Sequence, residues 1–422
     1  MHMLLATYRV ATDMFLSRDG QDAELRASSI RGALRFWYRA MMWPKVTDLS
    51  KIKALEARLF GASDQAIGQS RVLVSVISDS QPKSIPAGSE VDESVAYLGY
   101  GVMGFTKRYG RPGVKTTRAS IPAGHEFSVR VLFRPLRGAA ANTLKEDVEH
   151  VSGALQALGL FGGLGSRSRN GLGSVNLQRL ERVGPDGERQ LLWTPVRDVR
   201  DLVNRQREWV RKYLGEMPDG EPEYTAFSKG SKIVTQATEG DGMAALAHVG
   251  AKLGGYRRYR KSQDGINQPN FPDDHDNMYK FAQNGTKTPP APRRSVFGLP
   301  HNYFLSSIKH TVTISARVNG KSIDRRAGPL FIHIHDFGGQ SRGSAVTFTF
   351  LPAKFLPDGA ELVLTATRPK PKNEQNARNS GQKAPKNEKE IVNAGTATPT
   401  SDWTPILTFM SDAFWPNREV VL

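Results

Sequence analysis

An α+β fold is what the sequence predicts, on three observations. Residues 4–12 (LLATYRVAT) alternate like a strand and lead into a helical stretch over 28–41. Strands at 71–79 and 126–135, a helix at 146–161 and a strand at 172–181 follow. Past about residue 220 the pattern restarts. Strand–helix–strand followed by strand–helix–strand is the order of a ferredoxin-like unit, and 422 residues suffice for two or three domains with their own cores.

In the first helix, SSIRGALRFWYRAM, Ile30, Ala33, Leu34, Trp37 and Met41 repeat at helical spacing and are expected to face a core. Ser28 or Ser29 is the expected N-cap. Arg31, Arg35 and Arg39 lie four apart and form one basic stripe, read either as a solvated face or as a phosphate rail. Arg26 and the two serines place a cation and hydroxyls at the helix start, where anions already bind well. A second helix is expected over 48–59, ending at Phe60-Gly61.

In the second half, 232–238 reads as a strand and 242–254 as a helix running into GYRRYRK at 255–261. There Arg257, Arg258 and Arg260 alternate with Tyr256 and Tyr259, the composition of a single-strand binding surface, or equally of a basic helix end favoured by the macrodipole. Residues 262–294 read as a long polar loop, 328–337, 345–350 and 361–367 as strands, and 368–402 as a low-complexity segment, disordered or ordered by a partner. The aromatic tail 403–415 could close as a final helix.

The chain carries 58 Lys and Arg against 41 Asp and Glu, a formal charge of +17. A surplus of that size favours a polyanionic partner, nucleic acid before membrane. No apolar run approaches the ~20 residues that cross a bilayer, and the opening residues lack the pattern of a secretory signal. The absence of cysteine excludes disulfides, thiolate zinc sites and a cysteine nucleophile, and fits a cytoplasmic location.

The most distinctive segment is LGLFGGLGSRSRNGLGSV at 158–175. Glycines allow tight turns and close backbone approach, and the arginine fork suits phosphate. Gly162, Gly163, Gly165, Gly171 and Gly173 around Arg167, Arg169 and Asn170 therefore read as a polyanion cradle, with a flexible surface hairpin as the other reading. Neither GxGxxG nor a Walker loop is present.

Together, SSIRGALRFWYRAM, LFG at 59–61, GGLGSRSRNGLGSV at 162–175, FGLPHNY at 297–303 and RRAGPLFIHIH at 325–335 resemble the RAMP superfamily of CRISPR proteins. Within it, the similarity is to the tandem-domain subunit type of type III-B (Cmr) effector complexes, over about residues 1–180 and 295–367. The resemblance implies two tandem ferredoxin-like (RAMP/RRM-like) domains with long polar insertions, one over 1–215 and one over 220–422, with insertions at 262–294 and 368–402. It implies a non-catalytic subunit that covers the 3′ part of a guide RNA, helps capture target RNA, and sits among other RAMP and large subunits. The glycine loop would lie against RNA backbone. The expected RNA-binding residues are Arg26, Ser28, Ser29, Arg31, Arg35, Gly162, Gly163, Gly165, Arg167, Arg169, Asn170, Gly171, Gly173, Arg257, Arg258 and Arg260, with no cofactor and no metal. The comparable second-half loop, Gly338-Gly339-Gln340-Ser341-Arg342-Gly343, is shorter and precedes a strand.

Two other readings stay open. One is a metal-independent endoribonuclease processing guide precursors, because His333 and His335 lie two apart on a strand and share a face, beside Asp336. Asp13, Asp19 and Asp22, between the first strand and helix, are the alternative catalytic carboxylates, and Asp273, Asp274, His275 and Asp276 form an acidic cluster that could hold a hard cation. The other is a ribosome- or mRNA-associated protein with duplicated α+β domains.

Overall fold

Leu4, Ala6, Tyr8 and Val10 are buried in β1 (His2–Val10) while the residues between them are half-exposed, the alternation a one-sided strand requires. The computed structural model describes residues 2–16, 22–62, 69–77, 84–108, 111–134, 141–258, 270–338, 343–370 and 389–422. The chain continues through α1 (Ala27–Val46), α2 (Leu49–Phe60), β2 (Val72–Ile77), β3 (Glu90–Val91), α3 (Glu93–Ala96), β4 (Met103–Arg108), β5 (Arg111–Thr116), β6 (Glu126–Phe133), α4 (Ala141–Phe161), β7 (Val175–Val183), β8 (Arg189–Trp193) and α5 (Val199–Tyr213). Among the described residues the main sheet has the order β2-β6-β1-β7-β8, antiparallel throughout. Its first four strands are the βαββαβ arrangement of a ferredoxin-like domain.

Helix α1 buries Ile30, Leu34, Trp37, Tyr38 and Met41, so the expected core face is correct, with Ala33 only half-buried. Its start differs from expectation. Arg26, extended, is the N-cap and gives no side-chain cap, and Ser28 and Ser29 lie in the first turn. The register that seats Ile30 in the core sets this boundary, since the Ile30 amide already bonds to the Arg26 carbonyl. Helix α2 is capped by Asp48, which accepts the amides of Ser50 and Lys51. Asp147 of α4 is fully buried and pairs with Arg71 at 2.8 Å and with Arg58, so α4 is tied to α2 and to the foot of β2 by charge.

The second repeat runs β9 (Lys232–Glu239), α6 (Gly242–Arg257) and then, after an insertion, β15 (Leu330–Asp336), β16 (Gly343–Phe350) and the closing β19 (Glu419–Val420). Its sheet order, β15-β16-β9-β19, reproduces that of the first repeat. The repeats share one core: α4 packs on β15 and β16, and Gln206 of α5 bonds to Thr235 of β9 and Thr347 of β16. The fold is α+β with tandem ferredoxin-like domains.

The chain divides into compact units of residues 1–254, 330–353 and 410–422, and of 255–329 and 354–409. The sequence reading divides it near 215–220 instead. The second compact unit contains α7 (Pro272–Asn284), β10 (Gly298–Leu299), β11 (His301–Leu305), β12 (His310–Val318), β13 (Lys321–Ile323), β14 (Arg326–Ala327), β17 (Ala360–Pro369), β18 (Lys389–Ala397) and α8 (Thr404–Phe409). Its antiparallel sheet has the order β11-β12-β17-β18, with β13 also on β12.

Two expectations change here. The polar stretch 262–294 holds α7, whose Met278, Phe281 and Ala282 are buried; residues 259–269 lie outside the described residues. Of 368–402, residues 389–397 form β18 along β17, and 371–388 lie outside the described residues. Composition hid both elements, because each exposes most of its polar side chains and buries few apolar ones. The strand expected over 361–367 exists as β17, in the inserted sheet.

Candidate nucleic-acid interface

Helix α4 ends at Phe161 directly in the glycine loop. The loop is packed rather than pliable. A Cβ at Gly162 would stand 2.5 Å from Trp37 Nε1, at Gly163 2.8 Å from the Gly173 carbonyl, at Gly165 2.6 Å from the Phe15 carbonyl and at Gly171 2.7 Å from Leu246. At Gly173 (φ +66°) it would run into the Leu164 carbonyl. The glycines therefore admit the protein's own chain, where the sequence reading reserved that space for a ligand. Backbone bonds fix the loop at both edges: Leu164 N–H to Gly173 O (2.9 Å), Gly173 N–H to Asp13 O (3.0 Å) and Ile332 N–H to Arg169 O (2.8 Å).

Beside the loop lies a cavity of about 290 Å³ lined by Ser29, Phe36, Trp37, Gly163, Arg169 and Phe331, among others. The Arg169 guanidinium carbon stands 4.5 Å from the Phe331 ring centre and 5.3 Å from that of Phe36. Stacking on two rings holds the cation in a fixed orientation at the wall. The cavity reaches the first turn of α1, where Ser29 lies, no side chain caps the helix and the macrodipole is positive. Arg26, at that start, has its Nε buried without a hydrogen-bond partner among the described residues. Arg31 is exposed and enters no ion pair among the described residues, and Ser28 is exposed.

Other expected site residues are engaged elsewhere. Arg35, with Arg39 at 2.7 Å, clamps Glu56 of α2, a carboxylate only 4% exposed. The basic stripe of α1 is thus largely a helix–helix joint, because Glu56 could not be buried unpaired. Arg167, at φ +63°, donates from Nε to the Tyr100 carbonyl (2.6 Å), and Asn170 donates from Nδ2 to the Leu98 carbonyl (2.9 Å). Arg257 stacks on Phe297 (4.5 Å), Arg258 is exposed, and Arg260 lies outside the described residues. Tyr256 is 4% exposed and its hydroxyl donates to the Pro405 carbonyl, so it offers no face to a base; Tyr259 lies outside the described residues.

Leu98 and Tyr100 belong to the turn that carries the β4–β5 hairpin, an element sequence reasoning missed. Phe105 on β4 is 77% exposed and Tyr100 65%. The signal was in the chain: Phe105, Lys107, Arg108, Tyr109, Arg111, Lys115 and Arg118 fall in a stretch with no acidic residue between Glu93 and Glu126. That is the basic and aromatic mixture of a nucleic-acid surface. The hairpin pairs Phe105 with Val114 and Gly104 with Lys115. The glycine loop is its anchor, through Arg167 and Asn170.

The candidate acid–base groups are not at a surface. His333 is fully buried and His335 1% exposed. The two rings do share a face, their centres 6.0 Å apart. His333 Nδ1 donates to the Gly162 carbonyl (2.7 Å) at the end of α4, and Asn176 Nδ2 stands 3.4 Å from its Nε2. Burial pushes His333 down to about 4 and His335 well below its ordinary value, with His333 and Arg205 adding to the second effect. Both are held neutral, and His333 supports the loop from below. Asp13 accepts the Ala123 amide (3.1 Å), and burial raises its carboxyl above the ordinary range against that hydrogen bond. Asp22 is exposed, and Asp19 lies outside the described residues, as do positions 339–342 of the second-half loop. Asp274 turns inward on α7, accepting the amides of Arg293 and Arg294 and the Tyr303 hydroxyl. Among the described residues no group of three or more His, Cys, Asp or Glu could hold a metal, and no helix is long and apolar enough to cross a membrane.

Tandem ferredoxin-like repeats, the first with a glycine–arginine loop between α4 and β7, define a class of fold. Residues 10–176 match the model of the RAMP superfamily. It is similar to the CRISPR system Cmr subunit Cmr1-1 of Pyrococcus furiosus, 25% identical over 342 residues, covering 78% of this chain and 82% of the relative. The crystal structure of Cmr1 from Pyrococcus furiosus, apo form, has the same fold: TM-score 0.52 at 16% identity, covering 100% of this chain and 99% of that one. A chain of the type III-B Cmr-beta complex bound to cognate target RNA gives a TM-score of 0.46 at 10% identity, covering 83% of this chain and 94% of that one.

Proposed function

We propose that this chain is an RNA-binding, non-catalytic subunit of a type III-B CRISPR effector complex, contacting the 3′ part of the guide RNA and helping to capture target RNA. One observation carries the reading. The uncapped start of α1 and the stacked Arg169 border one cavity beside the glycine loop. A phosphate there meets helix amides, the positive end of a dipole and a pre-oriented guanidinium at once. Arg26, Ser28, Ser29 and Arg31 supply the helix side of this surface. Arg167 and Asn170 hold the hairpin whose exposed Phe105 supplies its far side. The relatives' names, a Cmr subunit and a complex with target RNA, support the choice of RNA and of other RAMP and large subunits as partners. Backbone contacts of this kind position a strand without reading bases, so affinity should fall steeply with salt while sequence preference stays weak.

Arg169→Ala tests the reading. Titrating guide-loaded complex with labelled target RNA should give an affinity loss of about tenfold, since a charge-assisted hydrogen bond contributes ~1.5–3 kcal/mol. The salt slope should fall by about 0.7 for the lost phosphate contact. Unchanged affinity and slope, with assembly intact, would refute it.

The burial of His333 and His335 argues against the endoribonuclease reading. Purified protein incubated with repeat RNA in chelator should leave the RNA intact.

A further inference from the structure

The inserted unit presents a second surface that the site above does not use. In its sheet, Tyr303 and Leu305 of β11, Val312, Ile314 and Ala316 of β12, and Leu362, Leu364 and Ala366 of β17 are buried, and α7 packs on the same sheet. Strand alternation sends the intervening side chains to the opposite face. There one cross-strand row reads Phe304–Thr311–Thr367–Ile391, by the pairings Phe304 with Thr311, Thr311 with Thr367, and Thr367 with Ile391. Phe304 is 74% exposed and Ile391 68%. The next row is Asn302–Thr313–Thr365, in which the Thr313 hydroxyl donates to Asn302 Oδ1 at 2.9 Å.

One end of this face is rimmed by cations. Lys309 is exposed in the β11–β12 turn, Lys370 follows β17, and Lys389 opens β18 opposite Pro369. Glu390, the acid of this rim, pairs with Arg368. The whole unit carries 21 Lys and Arg against 11 Asp and Glu.

We propose that this open sheet face is a second binding platform for single-stranded RNA, with a base stacked on Phe304 and the Lys309–Lys389 rim on the phosphates. An exposed ring beside hydroxyls and an amide can take bases and 2′-hydroxyls at once, the chemistry by which sheet faces hold unpaired RNA. A protein-docking face needs a contiguous apolar centre. Here threonines separate the exposed Phe304 and Ile391, which favours RNA over protein. The inference takes only the class of ligand from the proposed function.

The test uses the full-length protein and a labelled oligouridine, read by fluorescence anisotropy. Phe304 is exposed, so its variants should fold with unchanged melting temperature. Phe304→Ala should weaken binding about fivefold or more, the loss expected for one base–aromatic stack. Phe304→Trp should bind at least as well as the parent, and Phe304→Leu should behave like the alanine variant. Lys309→Ala with Lys389→Ala should lower the salt slope by about 1.4. Parent-like affinity of Phe304→Ala, alone and in an Arg169→Ala background, would overturn the proposal. So would parent-like affinity of Phe304→Leu beside a weak Phe304→Ala, because apolar bulk and not a π-face would then be at work. Loss on Phe304→Ala with none on Arg169→Ala would refute the cavity beside the glycine loop and leave this platform standing. The reverse pattern would do the opposite.

Discussion

The tandem repeats and the inserted unit are both basic, but they use their cations differently. The repeats hold 37 Lys and Arg against 30 Asp and Glu in 291 residues; the inserted unit holds 21 against 11 in 131. In the repeats many arginines answer buried acids: Arg35 and Arg39 on Glu56, Arg58 and Arg71 on Asp147, Arg179 and Arg189 on Glu181. Those guanidiniums are scaffold, and the net charge of that region overstates what it offers an RNA. In the inserted unit Asp274 answers Arg294 internally, while Lys309, Lys321 and Lys389 stand exposed. A formal charge counts both kinds alike, and burial of the acid partner tells them apart.

The largest effect that could break this contrast is at Asp147. Asp147→Ala leaves Arg71, whose side chain is 2% exposed, as an unpaired buried charge. It should cost about 3–5 kcal/mol in urea unfolding. By contrast, Lys309→Ala with Lys389→Ala should change stability by no more than about 0.5 kcal/mol. Similar stability losses for the two variants would erase the distinction.

A middle-sized effect comes from pH. His333 and His335 stay neutral in the folded chain, while an unfolded histidine takes up a proton near its ordinary value of about 6.5. The unfolded state therefore binds more protons below that value. Stability is fully present above about pH 6.5 and is lost as pH falls toward 4, by at most about 1.4 kcal/mol per unit for each histidine. Unfolding curves from neutral to mildly acid pH should show this slope, and His333→Gln should flatten it. An unaltered slope would mean the ring under Gly162 is not the titrating group.

The smallest effect sharpens the contrast within the repeats. Asn170→Ala removes the bond to the Leu98 carbonyl, worth about 1 kcal/mol. Hydrogen exchange should rise over 97–118 with little change in overall stability. Equal protection in both proteins would mean the loop does not anchor the hairpin.

Much of the framework was legible in the chain. The alternation in 4–12, the helical spacing of Ile30, Leu34, Trp37 and Met41, and the apolar helix before the glycine loop all placed real elements, because these patterns reflect one-sided burial of a local segment. The candidate site was only partly legible. Arg169 and Ser29 line one cavity and Arg26 is the N-cap of the helix that carries Ser29, but Arg35 is bound to a partner 21 residues on and Arg167 to one 67 residues back. The β4–β5 hairpin went unread although its charge and ring pattern were plain, since short strands around glycine and proline carry little periodicity.

By itself the sequence determined the repeating strand–helix order, the excess of positive charge and the segment where glycine and arginine concentrate. Only the tertiary structure decided that those glycines make room for Trp37, Phe15 and Leu246, that His333 supports the loop from below, and that two segments 24 residues apart in the chain build one inserted sheet. The reason is physical. Periodicity records which side of a local segment is buried, whereas the identity of the group that fills a space or neutralises a charge depends on residues far away in the chain.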